Sequence, residues 1–131
     1  MLLKVVAKYA DRWNCPMNSG HELPHKLEVL RSHCAEAGRD PDDITVSEQV
    51  LVVLGADDAD FKQRWTMAKQ LLGGFADLDA VAVRGTPDAV IDGLRAKAAK
   101  GVRLFTIMFG DLASPETLRL FGDRVLPELV K

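Results

Sequence analysis

Apolar positions along the chain recur at three- and four-residue steps in some stretches and run together in others. The clearest unit spans RGTPDAVIDGLRAKAAKGVRLFTIMFG, Arg84 to Gly110. Val90, Ile91, Leu94 and Ala98 share one face, while Asp92, Arg95 and Lys97 fall elsewhere, which predicts a helix. Thr86 is placed to accept a bond from a first-turn amide, and Pro87 takes the first helical position, where its missing donor is harmless. Gly101 is expected to close the helix in a left-handed conformation. VRLFTIMF then reads as a strand apolar on both faces, as a helix-covered parallel sheet requires.

Earlier stretches fit the same scheme. Leu2, Leu3, Val5, Val6, Tyr9 and Ala10 make a helical pattern with Lys4 and Lys8 on the other side. Ala10 to Asn14 reads as a short strand, followed by a loop through Cys15, Pro16, Asn18, Ser19 and Gly20. LPHKLEVLRSHCAEAGRDPDD predicts a helix entered near Pro24, with Leu27, Leu30, Cys34 and Ala37 on one stripe and Gly38 as its stop. Ile44 to Leu54, rich in β-branched residues, predicts a strand kinked near Glu48 and Gln49.

Asp57, Asp58 and Asp60 suit the positive end of a further helix, more as a solvated start than as a metal site. Phe61, Trp65, Ala68, Leu72 and Phe75 would form its apolar stripe, weakened at the end by Gly73 and Gly74. LDAVAVRG reads as a short apolar connection. Finally, Ser114 caps, Pro115 starts, and Leu118, Phe121, Val125 and Leu129 line a closing helix that Pro127 breaks or ends. Alternating helices and strands argue for an α/β fold with a parallel sheet and helical crossovers. Three strands make a narrow sheet for so many helices.

Composition narrows the classes. The 131 residues are enough for one domain, and 47% hydrophobic with 27% charged content is ordinary for a globular protein. A formal net charge of −2 offers no basic stripe for nucleic acid and no polybasic membrane anchor. No apolar run approaches the roughly 20 residues of a spanning helix, and MLLKVVAKYA is too short and lysine-interrupted for a signal peptide. Cys15 and Cys34 make no disulfide framework and read as reduced thiols of a cytoplasmic protein.

Taken together, LLKVVAKYADRWN, HKLEVLRSHCAEAGRDPDDITVS, RGTPDAVIDGLRAKAAKGVRLFTIMF and LRLFGDRVLPEL resemble the luciferase-like monooxygenases, the FMN- or deazaflavin-dependent oxidoreductases. YADRWN, HKLEVLRSHCAEAGRDP and the GTPD helix start are fairly specific in combination. The resemblance implies that residues 1–131 form a single partial domain. That domain is the carboxyl-terminal portion of a (β/α)8 TIM barrel, about three parallel strands with surrounding helices. The strands would be the sixth, seventh and eighth. It also implies an FMN or deazaflavin coenzyme, a small organic substrate, and pairing as a homo-oligomer or with another chain through exposed sheet edges. In the family a glycine-rich turn before the first helix helps bind the coenzyme phosphate. That turn and the earlier strands have no matching residues here, so the chain reads as a carboxyl-terminal fragment.

Strand carboxyl ends face the active site of such barrels. The matching positions are Trp13 and Asn14, Glu48 and Gln49, and Met108 and Phe109, as cofactor or substrate-pocket candidates; no catalytic residue is assigned. Trp13 with Asn14 and Met108 with Phe109 also suit a packed core, and Glu48 suits either a pocket or an exposed kink. Arg84 and Arg103 are lesser candidates for anion contacts. HELPH, His21 to His25, spells the H-E-x-x-H zinc hydrolase pattern. That chemistry needs both histidines on one continuous helix, and Pro24 lies between them, costing about 3 kcal/mol in a helix interior. A non-catalytic remnant or assembly partner of the same fold is the other alternative.

Overall fold

The structure, a computed structural model, describes residues 2–130. Helix α1 (Leu2–Tyr9) is followed by strand β1 (Arg12–Cys15), a 3-10 turn (Met17–Glu22), helix α2 (Leu23–Ala37), a second 3-10 turn (Pro41–Asp43) and strand β2 (Thr45–Leu54). Then come α3 (Asp58–Leu72), α4 (Leu78–Val81), β3 (Ala82–Gly85), α5 (Pro87–Ala98), β4 (Leu104–Phe109) and α6 (Pro115–Leu120). A π turn (Phe121–Val125) and α7 (Leu126–Leu129) close the chain. The fold is α/β, a parallel sheet with surrounding helices. Two compact units emerge. One is built from the chain up to Gln49 with Lys100–Thr106, the other from Val50–Ala99 and from Ile107 onward.

In the first unit, the leading half of β2 is flanked by β1 on one edge. Arg12, Trp13, Asn14 and Cys15 pair in parallel with Thr45, Val46, Ser47 and Glu48. On the opposite edge Arg103 N donates to Val46 O at 2.9 Å. The core is one cluster of Val6, Ala7, Trp13, Cys15, Leu23, Leu27, Leu30, Cys34, Ile44, Val46 and Val102. Leu27, Leu30 and Cys34 of the predicted α2 stripe are therefore buried, joined by Leu23, while Ala37 is exposed. Gly38, at φ 65° and ψ 32°, closes α2 with its amide on Ala35 and Cys34 carbonyls, a left-handed stop that a side chain would disfavour. Helix α1 keeps only Val6 and Ala7 buried, and Leu2, Val5 and Tyr9 stay exposed. Its apolar arc is wider than the surface that covers it.

In the second unit, the trailing half of β2 pairs in parallel with β3, Leu51 to Leu54 against Ala82 to Gly85. On the other edge Gly110 N donates to Val52 O at 2.9 Å. Val50 to Leu54 are all buried, so this half of β2 is the strand packed on both faces. The expectation that β4 would be buried on both faces is corrected: Leu104 and Thr106 are exposed. Strand β4 pairs only with β2 in the described sheet, whereas β2 has neighbours on both edges. The short connection LDAVAVRG is corrected too. It holds helix α4, capped by Asp77, and the fourth strand, β3.

Local chemistry explains most boundaries. Asp57 accepts from Ala59 N and Asp60 N and starts α3, as its acidic cluster predicts. The predicted α3 stripe does not hold as one buried face: of it only Ala68 is buried, and Phe75 is fully outside the helix and exposed. Thr86 occupies the cap position of α5 without a side-chain bond, contrary to expectation, while Pro87 fills the first turn. Gly101, at φ 101°, follows the end of α5 by three residues rather than capping it directly. Ser114 caps α6 by accepting from Thr117 N. Pro127 acts one turn upstream of itself: lacking an N–H for the 123 carbonyl, it follows a π turn instead of a clean break.

Candidate functional site

Side chains alternate across a parallel sheet, and paired residues share a face. Trp13 and Cys15, with Val46 and Glu48 opposite them, therefore lie on one face of the first unit, and Arg12, Asn14, Thr45 and Ser47 on the other. The first face carries the helix-packed core. Trp13, 7% exposed, is part of that core, and Glu48, 2% exposed, lies on the same face beside Cys15. Asn14 is exposed on the second face, and its Oδ1 accepts from Ser47 Oγ at 3.0 Å. Gln49 is half-buried one residue beyond Glu48. The structure thus splits the predicted pairs, Trp13 from Asn14 and Glu48 from Gln49. Ser47 was missed by sequence reasoning. Its signal was a hydroxyl two residues from Gln49, in the polar leading half of β2.

In the second unit, Phe109 is buried and meets Phe121 edge-on, with centroids 5.3 Å apart and planes at 76°. Met108 is half-buried. Immediately past β4 stands a polar cluster that no motif announced. Asp111 Oδ2 accepts from Arg64 Nη1 at 3.0 Å, Ser114 Oγ at 2.7 Å and Thr117 Oγ1 at 2.6 Å. Arg64 Nε also reaches Asp60 at 2.9 Å, and Asp60 accepts from Ala56 N at 2.8 Å. Burial alone would raise the Asp111 carboxyl, but the bonds from Thr117 and Ser114 and the Arg64 charge hold it below its ordinary 3.8. Asp60 is likewise held low, chiefly by the Ala56 amide.

The lesser candidates already have partners. Arg84 lies 4.3 Å above the Trp65 ring and 2.9 Å from Asp79, and Arg103 lies 3.0 Å from Asp42. In HELPH, helix α2 begins at Leu23 with Pro24 in its first turn. His21 belongs to the preceding 3-10 turn, and Glu22 pairs with Lys26 at 2.8 Å. The two histidines do not share one helix. Among the described residues no cluster of three metal-ligating side chains occurs.

No protein-family model matches the sequence, and no curated protein sequence matches it. Solved structures do match. The chain is similar to an F420-dependent secondary alcohol dehydrogenase solved with an F420-acetone adduct (TM-score 0.74, 13% identity, 98% of this chain and 46% of that one). The long-chain alkane monooxygenase LadA gives TM-score 0.73 at 19% identity, over 97% of this chain and 38% of that one. The coenzyme F420 dependent tetrahydromethanopterin reductase from Methanopyrus kandleri gives 0.68 at 17%, over 95% and 47%.

The fold is that of part of a TIM barrel, as in these structures. The chain spans less than half the length of each of these structures. Within the barrel frame, the face holding exposed Asn14 and buried Ser47 is the one opposite the helix layer. The Asp111 cluster stands at the carboxyl end of β4, where barrel enzymes carry their reactive loops. Among the described residues, no helix is long and apolar enough to cross a membrane.

Proposed function

We propose that the chain is the carboxyl-terminal part of a luciferase-like flavin- or deazaflavin-dependent oxidoreductase acting on a small organic substrate. The likeness to coenzyme-dependent barrels over 98% of the chain carries this reading. Two neighbours are named for coenzyme F420, a deazaflavin, and another is an oxygenating protein in complex with FMN. In such enzymes the coenzyme supplies the redox chemistry and the protein supplies position and electrostatics.

The residues present meet only part of that need. Asn14, Ser47 and Gln49 offer amide and hydroxyl groups suited to the polar edge of a ring system or to a substrate oxygen. Arg84 pairs with Asp79 and lies over Trp65, and Arg103 pairs with Asp42 at the surface. Accordingly no hydride or oxygen transfer step is assigned to a side chain. Activity of the chain depends on pairing with the rest of a barrel or with a second copy.

FMN and F420 titrated separately into the purified chain, followed by absorbance, test this. Binding is absent at high micromolar ligand for the chain alone and appears once the upstream barrel segments are supplied. Failure of both coenzymes in that completed protein overturns the oxidoreductase reading and leaves the non-catalytic assembly partner. Light scattering after size exclusion tests pairing: a clean monomer with little dye-detectable apolar surface contradicts it.

A further inference from the structure

Leu112 and Ala113, in the loop that follows β4, both sit at positive φ, 59° and 63°. They are the only non-glycine residues with positive φ among those described, and they are consecutive. A side chain in this region crowds the backbone, most severely for a bulky residue. The Leu112 side chain is no compensation, being 69% exposed. What surrounds the pair is the polar cluster: Asp111 before it and Ser114 after it. Ser114 Oγ donates to Asp111 Oδ2 at 2.7 Å, and its amide approaches Asp111 Oδ1 at 3.4 Å. Arg64 and Thr117 anchor the same carboxylate from α3 and α6. One carboxylate thus fastens both ends of a two-residue strained span to two helices.

We infer that the Asp111–Ser114 loop is a spring-loaded strap, held in a strained conformation by the Asp111 clamp and able to relax when the clamp opens. Strained loops of this kind persist only when their surroundings over-determine them, and they concentrate at ligand clamps and switches. The Leu112 amide also donates to Phe109 O at 3.0 Å, so the clamp holds the Ser114 end of the strap while this turn bond holds the other. A ligand or partner segment that draws Arg64 or Ser114 away from Asp111 would release it, and Leu112 at its tip would move farthest. This inference stands whether or not the chain binds a flavin.

A thermodynamic cycle on the full chain tests it without any ligand. The pair Leu112→Gly and Ala113→Gly is introduced together, once in the native background and once with Asp111→Asn. Glycine makes the unfolded chain more flexible by the same amount in both backgrounds, so that contribution cancels. Strain relief remains only where the clamp is closed. The expected result is that the thermal midpoint of the glycine pair, relative to its own background, is higher by about 3 °C or more in the native background than in Asp111→Asn. Amide exchange at Leu112, whose N–H donates to Phe109 O at 3.0 Å, should also quicken at least roughly tenfold in Asp111→Asn. Equal shifts in the two backgrounds, or unchanged exchange, overturn the strap. Should Asp111→Asn fail to fold, Thr117→Val opens the clamp more gently and is read by the same criteria.

Discussion

Arg64 and Asp111 lie 47 residues apart in the chain and meet at 3.0 Å, with the Thr117 hydroxyl accepting from the first and donating to the second, each at 2.6 Å. The Asp111 side chain is only 9% exposed, so this is a desolvated ion pair with satisfied hydrogen bonds. Removing one partner of such a pair leaves an uncompensated charge. Arg64→Met should lower unfolding stability by about 2–3 kcal/mol in urea titrations. A loss below about 0.5 kcal/mol would place the pair with ordinary surface ion pairs.

The same carboxylates set a pH response. Asp111 and Asp60 both titrate below 3.8 in the folded protein. A depressed folded value means that the unfolded chain takes up protons first as pH falls. Their contribution is therefore complete above the unfolded value of about 4 and fades as pH drops through the folded values. Urea midpoints should stay flat from pH 7 toward 5 on account of these two groups and fall below pH 4. In Asp111→Asn the acid limb should be shallower. An unchanged limb would mean that Asp111 carries no linked protonation.

Much of the fold was legible because local and global preferences agree. Leu27, Leu30 and Cys34 fall on one stripe and are buried together, and Gly38 and Ser114 stop and start helices as their chemistry dictates. Strand β3 was missed because four residues inside LDAVAVRG carry too little periodicity to stand apart from a loop. In the closing helix Phe121 and Val125 are buried as the stripe predicts, but Thr117 is buried in place of Leu118. Thr117 is drawn in by Arg64 and Asp111, a contact between distant segments that no local pattern announces. The site candidates failed to separate for a simpler reason. Adjacent strand residues point to opposite faces, so naming Trp13 with Asn14, or Glu48 with Gln49, joins a buried residue to a less buried one on the other face.

Gly85 ends β3 at φ 132°, and an added Cβ would lie 2.8 Å from the Ala89 Cβ. Both the backbone conformation and the contact oppose a side chain there. Gly85→Ala should destabilise by about 1–3 kcal/mol, and the Gly55 amide, which donates to Gly85 O at 3.0 Å, should lose protection in hydrogen exchange. A neutral substitution with unchanged Gly55 protection would mean that the β3 terminus readjusts freely.

Trp13 and Asn14 are neighbours in sequence with opposite expected consequences. Trp13 fills the core beside α1 and α2, and emptying that volume leaves a cavity, so Trp13→Ala should destabilise by about 3–5 kcal/mol. Asn14 is exposed and bonded to Ser47 on the other face, and Asn14→Ala should change stability by less than about 1 kcal/mol. If this face receives the coenzyme or substrate in the completed barrel, Asn14→Ala and Ser47→Ala should each weaken coenzyme or substrate binding there severalfold. Asn14→Ala should leave unfolding nearly unchanged, and Ser47→Ala, at a buried hydroxyl bonded to Trp13 O and Asn14 Oδ1, should cost about 1 kcal/mol. Denaturation curves together with coenzyme and substrate titrations of the same variants separate the two roles. Binding that survives both substitutions at full strength would move the site away from this face.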